Sequence, residues 1–160
     1  MDEQAPVRFA CESLESARAR DTDLVLLRHW SELTHYPDIP LDVDWNRYDL
    51  AEKLGKLRAF TARVSDRLVG YVAFFVDYNG HYRSSLQAVQ DVLYLLPEYR
   101  SRPRVGLRLI AFADHELARE GIQVAYHHQK LAHPALGRLL QISGYEPMET
   151  LWTKRLDRNR

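Results

Sequence analysis

Cysteine is almost absent: Cys11 is the single one in 160 residues. One thiol forms neither an intramolecular disulfide nor a multi-cysteine zinc site, and in its polar surroundings it is not expected to act as a nucleophile. Lysine is scarce too. Of the 22 basic residues 4 are Lys and 18 Arg, a skew that follows coding bias more readily than function, although a guanidinium fork suits phosphate better than an ammonium does. Net charge is missing, because 22 basic and 22 acidic side chains cancel. No global field therefore draws the chain to nucleic acid or to a membrane. No apolar run approaches the ~18 residues needed to cross a bilayer, and the acidic opening stretch does not read as a signal peptide. These absences point to a reduced, cytoplasmic setting. What is present, 46% hydrophobic and 28% charged residues, suits one globular domain over 1–160, with an N-terminal helical segment over 1–56 and a core over 57–156.

Periodicity predicts the elements. Leu24, Leu27 and Trp30 recur at helical spacing in 23–33, with Asp21 or Thr22 as the cap. A proline-bearing loop over 36–45 precedes a second helix over 48–57 that ends around Gly55. Strands are expected over 57–64, 68–78 and 86–96, with either a tight hairpin or a wider loop at Asn79-Gly80. A helix over 106–120, a strand over 122–128, a short helix over 134–143 and one or two strands over 145–156 complete the reading. The first twenty or so residues read as polar and without an element. The class is a mixed α/β, mostly antiparallel sheet flanked by helices.

Chemistry concentrates where the strand ending at Leu96 passes through residues 97–105 into the helix at Gly106. A helix N-terminus offers unpaired N–H groups and a positive dipole end, which together favour a phosphate. Gly106 would let the backbone approach a ligand closely. Arg100, Arg102, Arg104 and Arg108 raise the local potential. A solvated basic turn is the plainer reading of the same residues. His127, His128 and His133 do not suggest a metal site, because neighbours on a strand point to opposite faces.

The segments Leu-Tyr-Leu-Leu-Pro-Glu-Tyr-Arg (93–100) and Arg-Val-Gly-Leu-Arg-Leu-Ile (104–110) resemble motif A of the GNAT superfamily of N-acetyltransferases. Arg-Leu-Val-Gly (67–70), the helix 111–121 and Gly-Tyr-Glu (144–146) extend the likeness over roughly 57–156, and 81–91 resembles the superfamily's phage-type branch. The sequence departs from the pattern in two ways. Gly106 lies six positions after Arg100 rather than five, with Pro103 and Arg104 in place of the first glycine. The tyrosine that usually serves as general acid corresponds to Leu140.

The resemblance implies an acyl-CoA N-acyltransferase fold and acetyl-CoA as acyl donor. The CoA phosphates would meet amides of Arg104, Val105, Gly106 and Leu107, with Arg100 and Arg102 nearby and Leu95 on the strand. Pro103, lacking an N–H, would contribute none. The Tyr94–Leu95 backbone would hold the thioester carbonyl. Asp91, the carboxylate inside an apolar strand, takes the place of the base, with a structural Asp at a strand bulge as the alternative. By the two-residue period it should share a face with Val89, Leu93 and Leu95. Glu32, His81 and Tyr82 are the acceptor-side candidates, and neighbouring acids would suit a cationic amine. The implied partner is a small-molecule or peptide amine, with a homodimer allowed for and neither nucleic acid, membrane nor metal called for. The competing reading is a non-catalytic acyl-CoA-binding or interaction module.

Overall fold

The computed structural model describes residues 5–18, 22–102 and 104–157. Five strands form one sheet in the order β1-β2-β3-β4-β5. They are β1 (Val7–Glu12), β2 (Leu57–Val64), β3 (Arg67–Tyr78), β4 (Leu86–Leu95) and β5 (Val124–Tyr126). All neighbours pair antiparallel except β4 and β5, which run parallel. The parallel pair needs a crossover, supplied by α4 (Pro97–Arg100) and α5 (Val105–Arg119). The helices α1 (Leu14–Arg18), α2 (Thr22–Leu33) and α3 (Trp45–Lys53) cover the N-terminal side, and α6 (Pro134–Ile142) follows β5.

One sheet face carries Phe60, Ala62, Val72, Phe74 and Ala88 against Leu109, Ala113 and Leu117 of α5. The i, i+4, i+8 spacing of those three residues gives α5 its apolar stripe. The other face, with Ala59, Thr61, Tyr71, Ala73 and Val92, looks toward α1–α3. Among the described residues no helix is long and apolar enough to cross a membrane.

Several expectations need correction. Residues 7–12 form an edge strand paired with β2; Val7, Phe9 and Cys11 alternate with charged or small residues, a short period that polar flanks conceal. In α2 the buried face is Val25 with Leu26, His29 and Leu33, whereas Leu24 and Leu27 are 61% and 58% exposed. Four consecutive apolar residues at 24–27 fit more than one stripe, and tertiary contact chose the other. The helix expected over 48–57 starts at Trp45, because the Asp44 side chain accepts from the Arg47 N–H at 3.1 Å and caps it. Of the two residues expected to cap α2, Thr22 is the first residue of the helix and Asp21 lies outside the described residues. The chain takes the wider course at 79–85, where the Asn79 side chain accepts from the His81 and Tyr82 N–H groups.

The strands expected over 145–156 are absent among the described residues. That segment instead runs to the α2–α3 loop, where Thr153 bonds Tyr36 at 2.7 Å and Arg155 pairs with Asp38 at 2.9 Å. Met148, Leu151 and Trp152 stay more than 70% exposed there. Their strand propensity is outweighed by these side-chain contacts to the α2–α3 loop.

Candidate active site

β5 pairs with β4 only from Gln87↔Val124 to Val89↔Tyr126. Beyond Val89, β4 has no partner strand on that side among the described residues, so the pairing stops and leaves a gap along the β4 edge up to Leu95. On the β3 side pairing continues to Leu95, but the register jumps from Phe74↔Gln90 to Ala73↔Val92. Asp91 is the extra residue, a β-bulge.

The bulge resets the alternation of side chains. Leu93 and Leu95 pair with Val72 and Gly70, and Leu95 reaches toward α5, so they do not share a face with Asp91. Asp91 turns instead toward α3, accepting a hydrogen bond from the Tyr48 hydroxyl at 2.6 Å. Burial, reinforced by that carboxylate, pushes the Tyr48 phenol well above its usual range, so Tyr48 remains a donor at neutral pH.

Backbone direction at the end of β4 follows from two contacts. The Leu96 N–H donates to Val69 on the β3 side at 2.8 Å. Alternation therefore turns the Leu95 N–H and C=O away from β3, toward the gap. Consistently, the Leu95 carbonyl accepts from Arg100 Nε at 2.8 Å, outside the sheet. The Tyr94 carbonyl faces the other way, 2.9 Å from where a Cβ on Gly70 would stand.

The first turn of α5 adjoins this strand end. A Cβ at Gly106 would lie 3.9 Å from Leu95 and 3.2 Å from Leu139 of α6. Glycine at 106 thus lets α6 pack on α5, and the space beside its α-carbon belongs to Leu139 rather than to a ligand. The amides of Val105, Gly106 and Leu107 form the helix N-terminus. Arg104, the residue before α5, adopts φ 62° and ψ 14°, the left-handed region. It preserves with a costly residue the backbone shape that glycine would supply freely. Pro103 lies outside the described residues.

The remaining candidates are placed as follows. The Arg100 guanidinium grips both Glu32 oxygens at 2.6 and 2.9 Å, and the Tyr94 hydroxyl donates to Glu32 at 2.9 Å. The Arg100 fork lowers the Glu32 carboxyl below its usual range. Glu32 and Arg100 thereby clamp α2 to the end of β4, and neither points freely at a ligand. Arg102 lies over the Tyr99 ring at 4.6 Å. His81 and Tyr82 are exposed in the β3–β4 loop.

His29 escaped the sequence reading, and His127 was weighed there only as a metal ligand. His29 bonds the Tyr71 hydroxyl at 2.7 Å and stacks on Tyr94 at 4.8 Å. His127 bonds Gln90 at 2.6 Å, leaving its Nε2 buried without a partner among the described residues. Burial first, with a smaller push from Lys130 and His128 respectively, lowers both rings to about 4. The unfolded chain then takes up two protons below pH ~6.5 that the native state refuses. Stability is full above that pH and falls as the pH drops toward 4. Between pH 7.5 and 5 each ring should remove about 2 kcal/mol, read as a lower urea midpoint. Equal midpoints at the two pH values would show that these rings charge freely in the fold.

The helices α1–α3, the loop between α2 and α3 and the second sheet face border a half-open cavity of about 550 Å³. Tyr48 and Val92, which flank Asp91, belong to its wall. No group of three or more His, Cys, Asp or Glu among the described residues could hold a metal ion.

No protein-family profile and no curated protein sequence matches the chain. Solved structures do. An aminoglycoside acetyltransferase from an uncultured soil metagenomic sample, in complex with trehalose, superposes with a TM-score of 0.72 at 10% identity, covering 94% of this chain and 96% of that one. The aminoglycoside N-acetyltransferase AAC(6')-Iy in complex with CoA gives 0.70 at 17% identity, covering 97% of each. Glucosamine-6-phosphate N-acetyltransferase from Arabidopsis thaliana gives 0.71 at 9% identity, covering 95% of this chain and 99% of that one. At these identities the likeness concerns the fold, and the fold is that of the GNAT acyl-CoA N-acyltransferases.

Proposed function

We propose that this chain transfers an acetyl group from acetyl-CoA to a primary amine. The observation that carries the reading is the Leu95 amide, turned into the β4–β5 gap beside the first turn of α5. The fold and the CoA complex of a structural neighbour support it. The N-terminus of α5 suits a diphosphate: the Val105 N–H turns back to the Arg102 carbonyl at 3.5 Å, which leaves the Gly106 and Leu107 amides to open the helix, and Arg102 and Arg104 add positive potential. Acetyl-CoA supplies the activated thioester.

The Leu95 N–H is placed to donate a hydrogen bond to the thioester oxygen as negative charge gathers on it during addition of the amine. The amine nitrogen adds to the thioester carbon, the C–S bond then breaks to release CoA as its thiolate, which takes a proton from water, and the extra proton on the new amide nitrogen must leave. Asp91 is the proposed proton acceptor. Four residues of extended strand, about 13 Å before the bulge shortens it, separate it from Leu95, so the proton travels through water. Tyr48 holds the carboxylate in place. Leu140, which stands where a proton-donating tyrosine is usual, is 7% exposed and offers no proton. That one feature favours the second reading, a module that binds acyl-CoA without turnover.

Thiol release from acetyl-CoA, followed with a panel of primary amines, separates the two. Amine-dependent release is expected; binding without release would establish the module. The Arg104→Gly variant adds a signature. It relieves the left-handed strain, so the melting temperature should rise, by about 0.5–1 kcal/mol of stability. It also removes one exposed charge, so the KM for acetyl-CoA should rise about threefold to tenfold. A rise in KM without gained stability, or the reverse, would break the link between this backbone and the phosphates.

A further inference from the structure

The cavity between α1–α3 and the sheet has a composition that says what enters it. Its floor is the cross-strand pair Ala59↔Ala73, two small side chains that leave room above the sheet. Among the aliphatic side chains of its walls stand four large aromatics: Trp30 from α2, Trp45 and Tyr48 from α3, and Tyr71 from β3. Two of the three tryptophans of the chain are spent here.

Charge is sparse. The charged side chains that border the cavity are Arg18, Asp42 and Lys130. Arg18 already lies 3.9 Å over the Trp45 ring and 3.5 Å from Asp49, and Lys130 donates to the Leu33 carbonyl. His29 and His35 also line it, and His29 stays neutral at pH 7 because burial lowers it to about 4. One carboxylate against two cations cannot match a ligand with several ammonium groups, and each unmatched charge would be costly to bury. An aromatic body gains both apolar contact and ring packing.

Resting on the acetyltransferase reading, we infer that the acceptor is a small arylalkylamine, with its ring among Trp30, Trp45 and Tyr71 and its single amine carried past Val92 toward the end of β4. The cavity's size is ordinary for a site that takes a small molecule. The inference departs from the neighbours named for aminoglycosides and for glucosamine 6-phosphate, whose polar acceptors this wall would not solvate.

Titration calorimetry on the full chain tests it, with 2-phenylethylamine and 4-phenylbutylamine as probes and spermidine and kanamycin as polycations, each with and without saturating CoA. The phenylalkylamines are expected to bind saturably and at least tenfold more tightly than either polycation. Ile39→Lys, a change at a 48% exposed wall residue, should weaken them at least fivefold with the melting temperature unchanged. Trp30→Ala should weaken them further, and the loop variant keeps the test valid if that helix variant fails to fold. Polycations binding as well or better, or no binding by the phenylalkylamines, overturns the inference. The CoA arm reports separately: heat from CoA without heat from phenylalkylamines overturns the inference and leaves the transferase reading standing, and the converse overturns both, the cavity then binding an arylalkylamine that is no acceptor.

Discussion

Asp91→Asn should lower acetyl transfer by about 10²–10⁴-fold while CoA affinity stays within about a factor of two. Asparagine keeps the volume and one acceptor oxygen for the Tyr48 hydroxyl, which now stands 2.6 Å from the carboxylate, but it cannot take a proton. Tyr48→Phe separates position from chemistry: it loosens the carboxylate without removing it, so the expected loss is smaller, about tenfold. If Asp91 serves only to fill the bulge, the pattern inverts. Turnover would then persist in Asp91→Asn and the melting temperature would fall.

The second large effect is on folding. A Cβ at Gly70 would stand 2.7 Å from Leu95 Cδ1, 2.9 Å from the Tyr94 carbonyl oxygen and 3.3 Å from Leu95 Cα. Two of those atoms are backbone of the neighbouring strand, so β3 and β4 must separate to admit a methyl group. Gly70→Ala should cost about 3 kcal/mol and lower the melting temperature by roughly 10 °C for a domain of this size. Because the displaced residue is Leu95, whose N–H faces the gap, CoA affinity should fall too. Gly80→Ala is the control: nothing lies within 4 Å of its Cβ, and no change is expected. An unchanged melting point in Gly70→Ala would mean that the strands do not meet this closely.

The strand, loop and helix at 86–119 were legible because their signals are local. Apolar alternation, Pro97, the arginine-rich turn and the switch to a helical stripe all lie within one stretch of chain. The bulge at Asp91 was not legible in the same way. Simple alternation placed Asp91 with Leu93 and Leu95, and only the register against β3 shows that one extra residue resets the faces. Glu32 and Arg100 are 68 residues apart, so no local pattern shows that they hold each other rather than a substrate and a cofactor. The cavity is assembled from α1, α2, α3, the loop between α2 and α3, and β2, β3 and β4, elements too far apart in the chain for a local pattern to show it. β1 was hidden by polar flanks, and the C-terminal strands were expected from a propensity that side-chain contacts to the α2–α3 loop outweigh.

The most direct measurement of the central claim is a calorimetric titration of acetyl-CoA into the full chain at neutral pH. The account predicts saturable heat for about one ligand per chain and a melting temperature that rises with ligand concentration as mass action requires. No heat and no shift at millimolar acetyl-CoA would contradict it.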